Sequence, residues 1–475
     1  MRRYDLVIVG MGSGGIVAAE FAASLGLRVA AVERDRIGGD CLWTGCVPSK
    51  ALLAAAKVAQ HMRTADRFGI AAVEPEIDLS RVWQRIRAVQ EEIATTDDSP
   101  ERFEELGVEL VHGEARLAGP NAVAVGDRVL EARFVLLCTG SRPAVPDLPG
   151  LREAGFLSSE SIFELEDPPR SVVVIGGGPI AVELAQGLNR LGVRVTLLQR
   201  GDRLLPRDES ELTAIVAACL RGEGVDVRFG VDTQSVEAAE GRKAVLGTTN
   251  GQTERWEAEE LLVATGRAPL VDGLGLEELG VEVAPRGIVV DERLRTSVKS
   301  VYAAGDVAGR WLFTHSAGRE AAASLRDMFF PGKAKDIGLV PWCTFTDPEL
   351  AHVGLTVAEA VEQHGERKVE VVRADLSHSD RARTDGADEG RIVLVAAGGK
   401  LVGAHILAPA AGELIHELAL AIRQRLKVRD LGVMTHVYPT IATSVNVAGA
   451  EAAYAYAQRF GWLVRREKKA AYRPR

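Results

Sequence analysis

What this chain lacks narrows it first. Only five cysteines occur in 475 residues. An odd and sparse set is unsuited to a disulfide framework, so a bond between any two of them is expected to be transient and catalytic. The opening residues, MRRYDLVIVG, run directly into a strand pattern, with no apolar stretch or small-residue cleavage site of a secretion signal. A cytoplasmic location is therefore expected. No run of 18 or more apolar residues occurs, which excludes a membrane span. Excess positive charge is also missing. A formal net charge of -9 would repel a phosphate backbone, so the expected partner is a small molecule and not nucleic acid.

What is present is the composition of a folded protein, 47% hydrophobic and 26% charged, on a chain long enough for two to four domains. One plan occurs twice. Residues 4–33, YDLVIVGMGSGGIVAAEFAASLGLRVAAVE, read as an apolar strand, a glycine turn, an Ala-rich helix and a second strand ending on an acid. Residues 171–200, SVVVIGGGPIAVELAQGLNRLGVRVTLLQR, repeat it. In the first unit Gly10, Gly12 and Gly15 fit the dinucleotide fingerprint. The first allows the tight turn, the second lets the backbone approach a pyrophosphate, the third permits close helix packing, and Glu33 is placed for ribose hydroxyls. In the second unit the fingerprint is Gly176, Gly178 and Ala181, and the second strand ends on Gln199 rather than an acid. Arg200 and Arg203 follow, supplying charge where a 2′-phosphate would sit, so the second nucleotide is expected to be NADPH.

Strands ending in Thr-Gly follow each unit, at Thr139-Gly140 and at Thr265-Gly266. From about residue 338 the pattern changes. The alternating run RIVLVAAGGKLVGAHIL (391–407) reads as a hairpin, and a helix pattern begins at AGELIHELALAIRQRL. The fold class expected is α/β, with two Rossmann-like dinucleotide-binding domains and a C-terminal α+β domain. The last seventeen residues carry seven basic side chains against one acid, which reads as a solvated tail.

The remaining signal is IGGDCLWTGCVPSK at residues 37–50. Helical periodicity develops after Cys41, placing Cys41 and Cys46 at or just before a helix N-terminus, where unpaired N–H groups favour a thiolate. Five residues of ideal helix rise roughly 7.5 Å, beyond the roughly 4.4–6.8 Å between Cα atoms that a disulfide accepts. The first turn must be irregular, and Gly45 and Pro48 suit that. Zinc is the competing reading of a cysteine pair, but a structural site needs four ligands and no second pair lies at finger spacing.

This segment resembles the signature G-G-x-C-x-x-x-x-G-C, followed by V/I-P-S/K-K, of the class I pyridine nucleotide-disulfide oxidoreductases: dihydrolipoamide dehydrogenase, glutathione reductase and mercuric reductase. The likeness extends along the chain through both glycine loops, the two Thr-Gly pairs, VYAAGDVAG (301–309), FTDPELAHVGLT (345–356) and AGELI (411–415). It implies FAD-binding segments at 1–145 and 271–337, an NADPH-binding domain at 146–270 and a dimerisation domain at 338–475. It further implies that NADPH reduces FAD and that the flavin opens a Cys41–Cys46 disulfide. Cys46 would touch the flavin and Cys41 would face the acceptor. Lys50, held by Glu183, would lie beside the flavin ring. Asp306 would bind the ribityl or phosphate region, and the helix opening near His315 would face the pyrimidine. Thr139, Gly140 and Gly266 would line the cofactor sites. No residue is assigned to a resident metal ion.

The chain also departs from that family. Disulfide reductases within it end in H-P-T-x-x-E, a base and its orienting acid supplied by the partner subunit. Here the register gives Tyr438, Pro439, Thr440 and Thr443, with His436 two residues before the tyrosine. Tyrosine at this place resembles mercuric reductases, yet their vicinal C-terminal cysteines are missing. Cys138, Cys219 and Cys343 read as core residues. The expected function is reduction of a metal ion such as Hg(II) or Cu(II) through the dithiol, in a homodimer. The alternatives are a quinone or dye reductase, a disulfide reductase of dihydrolipoamide dehydrogenase type, or a thiol redox sensor without turnover.

Overall fold

The computed structural model describes residues 3–239, 241–332 and 338–463. They form two compact units. The first comprises residues 1–60, 75–202 and 224–338, and the second residues 61–74, 203–223 and 339–475. Among the described residues no helix is long and apolar enough to cross a membrane.

The first unit is built on β1 (Tyr4–Val9), whose Leu6, Val7 and Ile8 are fully buried. Burying such side chains contributes roughly 1.5–3 kcal/mol each, which makes this strand the centre of a sheet. The Ala-rich helix α1 (Ser13–Ser24) leads from it to β2 (Val29–Glu33). Two helices follow: a single turn and a half, α2 (Gly39–Trp43), then α3 (Cys46–Arg63). Strands β3 (Val108–His112) and β4 (Arg128–Leu137) complete a parallel core in the order β3-β2-β1-β4, with Ile8 opposite both Ala31 and Leu136.

The second dinucleotide-type sheet has β5 (Ser171–Ile175), helix α4 (Pro179–Arg190), β6 (Arg194–Gln199) and β7 (Glu260–Val263). With Asp226–Phe229 it forms an all-parallel sheet, β5 lying between β6 and β7. The chain then returns to the first sheet as β8 (Val301–Ala303), parallel to β4, and enters α5 (Thr314–Phe329). Helices α1, α4 and α5 all start without a side-chain cap. Their first N–H groups stay open toward whatever faces them.

The second unit holds a five-stranded antiparallel sheet: β9 (Trp342–Thr344), β10 (Glu349–Gly354), β11 (Val369–Asp375), β12 (Arg391–Ala397) and β13 (Lys400–Ala408). The order is β9-β10-β13-β12-β11, and β12 and β13 form the hairpin read from 391–407, turning at Gly398-Gly399. One face packs Ala351, Val353, Ile392, Leu394 and Ile406 against Ile415 and Leu418 of α6 (Ala411–Arg423).

The other face is also buried and carries two histidines among Leu350, Val393, Val395 and Leu407. Trp342 stacks on His352 with ring centres 3.7 Å apart, and His405 meets His352 edge-on at 4.6 Å. Their Nε2 atoms pair with the carbonyls of Gly354 and Leu355 at 2.9 and 3.1 Å, while both Nδ1 atoms are buried without a partner. Burial pushes both imidazoles toward the neutral form.

Candidate active site

The cysteine segment grows out of the first glycine loop. A side chain at Gly15 would meet the Gly10 carbonyl at 1.9 Å, so only glycine lets α1 approach β1 here. Gly12, by contrast, has nothing nearer than Gly39 Cα at 3.7 Å, which leaves room before the open N–H groups of α1 for a pyrophosphate. At the end of β2 the Glu33 carboxylate accepts from the backbone N–H groups of Met11 (2.7 Å), Arg34 (2.8 Å) and Asp35 (2.9 Å). Those bonds take three of about four acceptor positions and fix the carboxylate at the end of β2. Gly38 N–H donates to Met11 O at 2.9 Å. The cysteine segment is thereby tied to the same loop.

Cys41 lies in α2 and Cys46 opens α3; Thr44 and Gly45 separate the two helices. The irregularity is a break between helices, and Pro48 falls in the first turn of α3, where its missing N–H costs nothing. Gln90 holds the end of α2 by donating to the carbonyls of Leu42 (3.1 Å) and Trp43 (2.7 Å). Cys41 is half-buried and Cys46 exposed, both as thiols. The Cys41 thiol donates to Cys46, which pulls the Cys46 pKa down to about 6. The Thr314 hydroxyl, 3.4 Å from Cys46 Sγ, and the Lys50 ammonium act in the same sense. The same contact pushes the Cys41 pKa upward. Lys50 Nζ lies 2.7 Å from Glu183 Oε2 on α4, where the Glu183 side chain is only 7% exposed.

A cavity of about 430 Å³ reaches Cys41. Apolar Ile16, Val17, Leu42 and Ile93 share its wall with Asp98, Thr314, His315 and Arg319. His315, the second residue of α5, stacks on Phe313 with ring centres 5.4 Å apart. Its neighbour Thr314 contacts the dithiol through its hydroxyl, 3.4 Å from Cys46 Sγ.

The two Thr-Gly turns are clipped together. Ser141–Pro143 and Arg267–Pro269 pair antiparallel, Thr139 Oγ1 donates to Leu270 O at 2.7 Å, and Ala144 N–H donates to Gly266 O at 2.9 Å. Gly140 takes a left-handed turn, φ 73°. Asp306 accepts from Ser141 Oγ at 2.5 Å and lies 3.5 Å from Arg267 Nε. Fully buried Glu320 accepts from Gly305 N–H at 2.8 Å and so steadies the turn that presents Asp306.

At the second loop Gly176 follows β5, and Gly178 caps α4 with no atom within 4 Å of a side chain built there. Ala181 is fully buried. Gln199 lies against Gly177, where an added Cβ would be 2.7 Å from its amide carbon, and exposed Arg200 follows. Arg203 donates to the carbonyls of Pro206 (2.5 Å) and Asp208 (3.2 Å).

In the second unit Tyr438 is exposed and donates to Asp380 Oδ2 at 2.9 Å, which holds its phenol proton more tightly. His436 has both ring nitrogens engaged, Nε2 with Glu417 at 3.2 Å and Nδ1 with Met434 O at 3.3 Å. Cys138 is buried, whereas Cys219 and Cys343 are half-buried. Among the described residues no cluster of three or more His, Cys, Asp or Glu is arranged to hold a metal ion. The last twelve residues, most of the basic tail, lie outside the described residues. Asp40, Arg267, Thr314, Asp98, Arg319 and Glu320 were not singled out by sequence. Only the positions of Asp40 beside Cys41 and of Arg267 after Thr-Gly offered a signal.

Residues 4–321 match the pyridine nucleotide-disulphide oxidoreductase family and residues 340–448 its dimerisation domain. Dihydrolipoyl dehydrogenase of Thermus scotoductus is 37% identical over 94% of this chain and 97% of its own. Mercuric reductase of Staphylococcus aureus is 33% identical over 94% of this chain and 82% of its own. Among solved structures, the Cu(II) complex of the HOCl-induced flavoprotein disulfide reductase RclA from Escherichia coli superposes with a TM-score of 0.83 at 25% identity, covering 95% of this chain and 99% of that one.

Proposed function

This chain belongs to the pyridine nucleotide-disulphide oxidoreductase family, whose members use FAD and NAD(P)H, and from that premise we propose that it reduces a metal ion such as Hg(II) or Cu(II) with NADPH through Cys41 and Cys46. The residues fit FAD: Gly12 leaves space before the N-terminus of α1, Glu33 is fixed for a ribose and Asp306 is presented on a tight turn. When bound there, FAD supplies two-electron transfer between nicotinamide and dithiol. The chain's own part is to keep Cys46 as thiolate, hold Lys50 against Glu183, and open a cavity to Cys41 for the acceptor.

The observation that carries the acceptor reading lies in the C-terminal segment. Tyr438 stands at the family's base position with its phenol on Asp380, and His436 has both nitrogens occupied. A disulfide acceptor requires a proton for its departing thiol, and removing such a catalyst costs about 10²- to 10⁴-fold. A soft metal takes thiolates directly and needs no such acid. The pairing of His436 with Glu417 favours a second reading, a disulfide reductase of dihydrolipoamide dehydrogenase type. An acceptor screen with NADPH separates them. Metal-dependent NADPH oxidation should disappear in Cys41→Ser and Cys46→Ser, and lipoamide and glutathione disulfide should be poor acceptors. Lipoamide as the best acceptor refutes the metal reading.

The assembly proposed is a homodimer through residues from about 338 onward, with Tyr438 of one copy meeting the dithiol of the other. Exposed Val433, Val437, Tyr438 and Tyr454 supply apolar surface for it. Light scattering that shows a monomer at micromolar concentration refutes it.

A further inference from the structure

One residue of the cysteine segment remains without a part. Asp40 precedes Cys41 on α2, and its carboxylate is fixed from two sides. Thr44 Oγ1 donates to Oδ1 at 2.7 Å, and Arg267 Nη2 lies 3.1 Å from the same oxygen. The Arg267 side chain is 11% exposed and does more than this. Its Nε donates to Ser141 Oγ at 2.7 Å, lies 3.5 Å from Asp306 Oδ2, and its Nη2 donates to Ser141 O at 3.0 Å. One guanidinium thus serves two carboxylates, one on the dithiol helix and one on the Gly305–Gly309 turn. The trio is left with a net negative charge.

The other charges near the sulfurs do not cancel it. Lys50 reaches them from α3 but is already paired with Glu183. On the wall of the cavity beside Cys41 the charges of Asp98 and Arg319 offset each other, with His315 next to them.

We propose that Asp40 is a positioning and charge-setting residue of the dithiol: it ties the Cys41 helix to Arg267 and biases the cysteine pair toward its oxidised form. Reduction of a Cys41–Cys46 disulfide breaks the S–S bond with two electrons and one proton, leaving Cys41 as thiol and Cys46 as thiolate. Two electrons and one proton are together one hydride, which NADPH gives up by the family's flavin route, so no further proton is needed. A negative charge appears where the disulfide carried none. A fixed carboxylate on the adjacent residue opposes that charge. Arg267 offsets the opposition incompletely because Asp306 shares it. The same carboxylate acts on both sulfurs in the direction of retaining their protons. This inference concerns the dithiol itself and stands or falls apart from the identity of the acceptor.

The test uses the FAD-loaded protein equilibrated in dithiol redox buffers at fixed pH, with the reduced fraction counted by thiol-specific mass labelling of Cys41 and Cys46. Asp40→Asn keeps an oxygen for Thr44 and removes the charge. Asp40→Glu keeps the charge. For Asp40→Asn the equilibrium should move about three- to tenfold toward the reduced form, or about 15–30 mV. Asp40→Glu should remain with the parent. In the unaltered protein, where no folding defect can intervene, added salt should move the equilibrium in the same direction by screening a half-exposed charge. The proposal is overturned if Asp40→Asn matches the parent, if Asp40→Glu shifts as far as Asp40→Asn, or if the parent shows no salt dependence.

Discussion

In the reduced protein Cys46 should be a thiolate at neutral pH because of its neighbour. Its pKa of about 6 stands against an ordinary cysteine value of 9.0. The largest cause is the hydrogen bond from the Cys41 thiol, which outweighs the penalty of partial desolvation; Thr314 and Lys50 add to it. At pH 7 a group with a pKa of about 6 is about nine-tenths ionised, whereas one at 9 is about 1% ionised. Cys41→Ala removes the donor and should carry the Cys46 midpoint upward by about two pH units, slowing its alkylation at pH 7 about tenfold. The full difference is not expected, because the Thr314 hydroxyl and the Lys50 ammonium still favour the thiolate. Cys41→Ser keeps a donor and should move the midpoint less, and Thr314→Val should raise it slightly. The assay is iodoacetamide alkylation of the reduced protein from pH 5 to 9, with Cys46 followed by peptide mapping. The sign of the linked stability is set by the lowered pKa. Ionisation of Cys46 stabilises the reduced fold above the unfolded value, and that contribution is lost as pH falls through about 6. A parent midpoint above pH 8, or a Cys41→Ala profile that overlays the parent, refutes the reasoning.

Coenzyme choice should follow Gln199 and Arg200. NADPH should be preferred about ten- to a hundredfold, the worth of one charge-assisted phosphate contact, and Gln199→Glu with Arg200→Ser should reverse the order in kcat/KM; equal use of NADH by the parent would remove phosphate reading from these residues. The second unit should be acid-sensitive. His352 and His405 are buried with lowered pKa values, so the unfolded chain binds more protons than the fold below about pH 6.5, and melting temperature should fall there. Asp208, pushed up to about 6 mainly by burial, opposes this between about pH 4 and 6. His352→Gln should flatten the acid limb, and a melting temperature flat from pH 7 to 5 in the parent would show that these imidazoles do not govern it.

The two dinucleotide units and the cysteine pair were legible in the sequence because their chemistry is local. A glycine that must let α1 touch β1, an acid that closes β2, and two cysteines that straddle a helix start are each set by backbone geometry within a few residues. The same holds for the 391–407 hairpin, where alternation and a Gly-Gly turn dictate both strands. What local pattern does not contain is which distant group meets which. Lys50 with Glu183 was available only through family resemblance, and Asp40 with Arg267 and Asp306 was not available at all, because packing of separate elements makes those contacts. Sequence also grouped Arg203 with Gln199 and Arg200 by proximity, but its bonds to the Pro206 and Asp208 carbonyls come from the folding of the loop that follows. Likewise the contact of His436 with Glu417 of α6, nineteen residues earlier, could not be read from the chain. Residue identity and short spacing decided which chemistry this protein carries; the long-range packing of its helices and turns decided which charges stand next to the sulfurs, because electrostatic partners are chosen by distance in space and not along the chain.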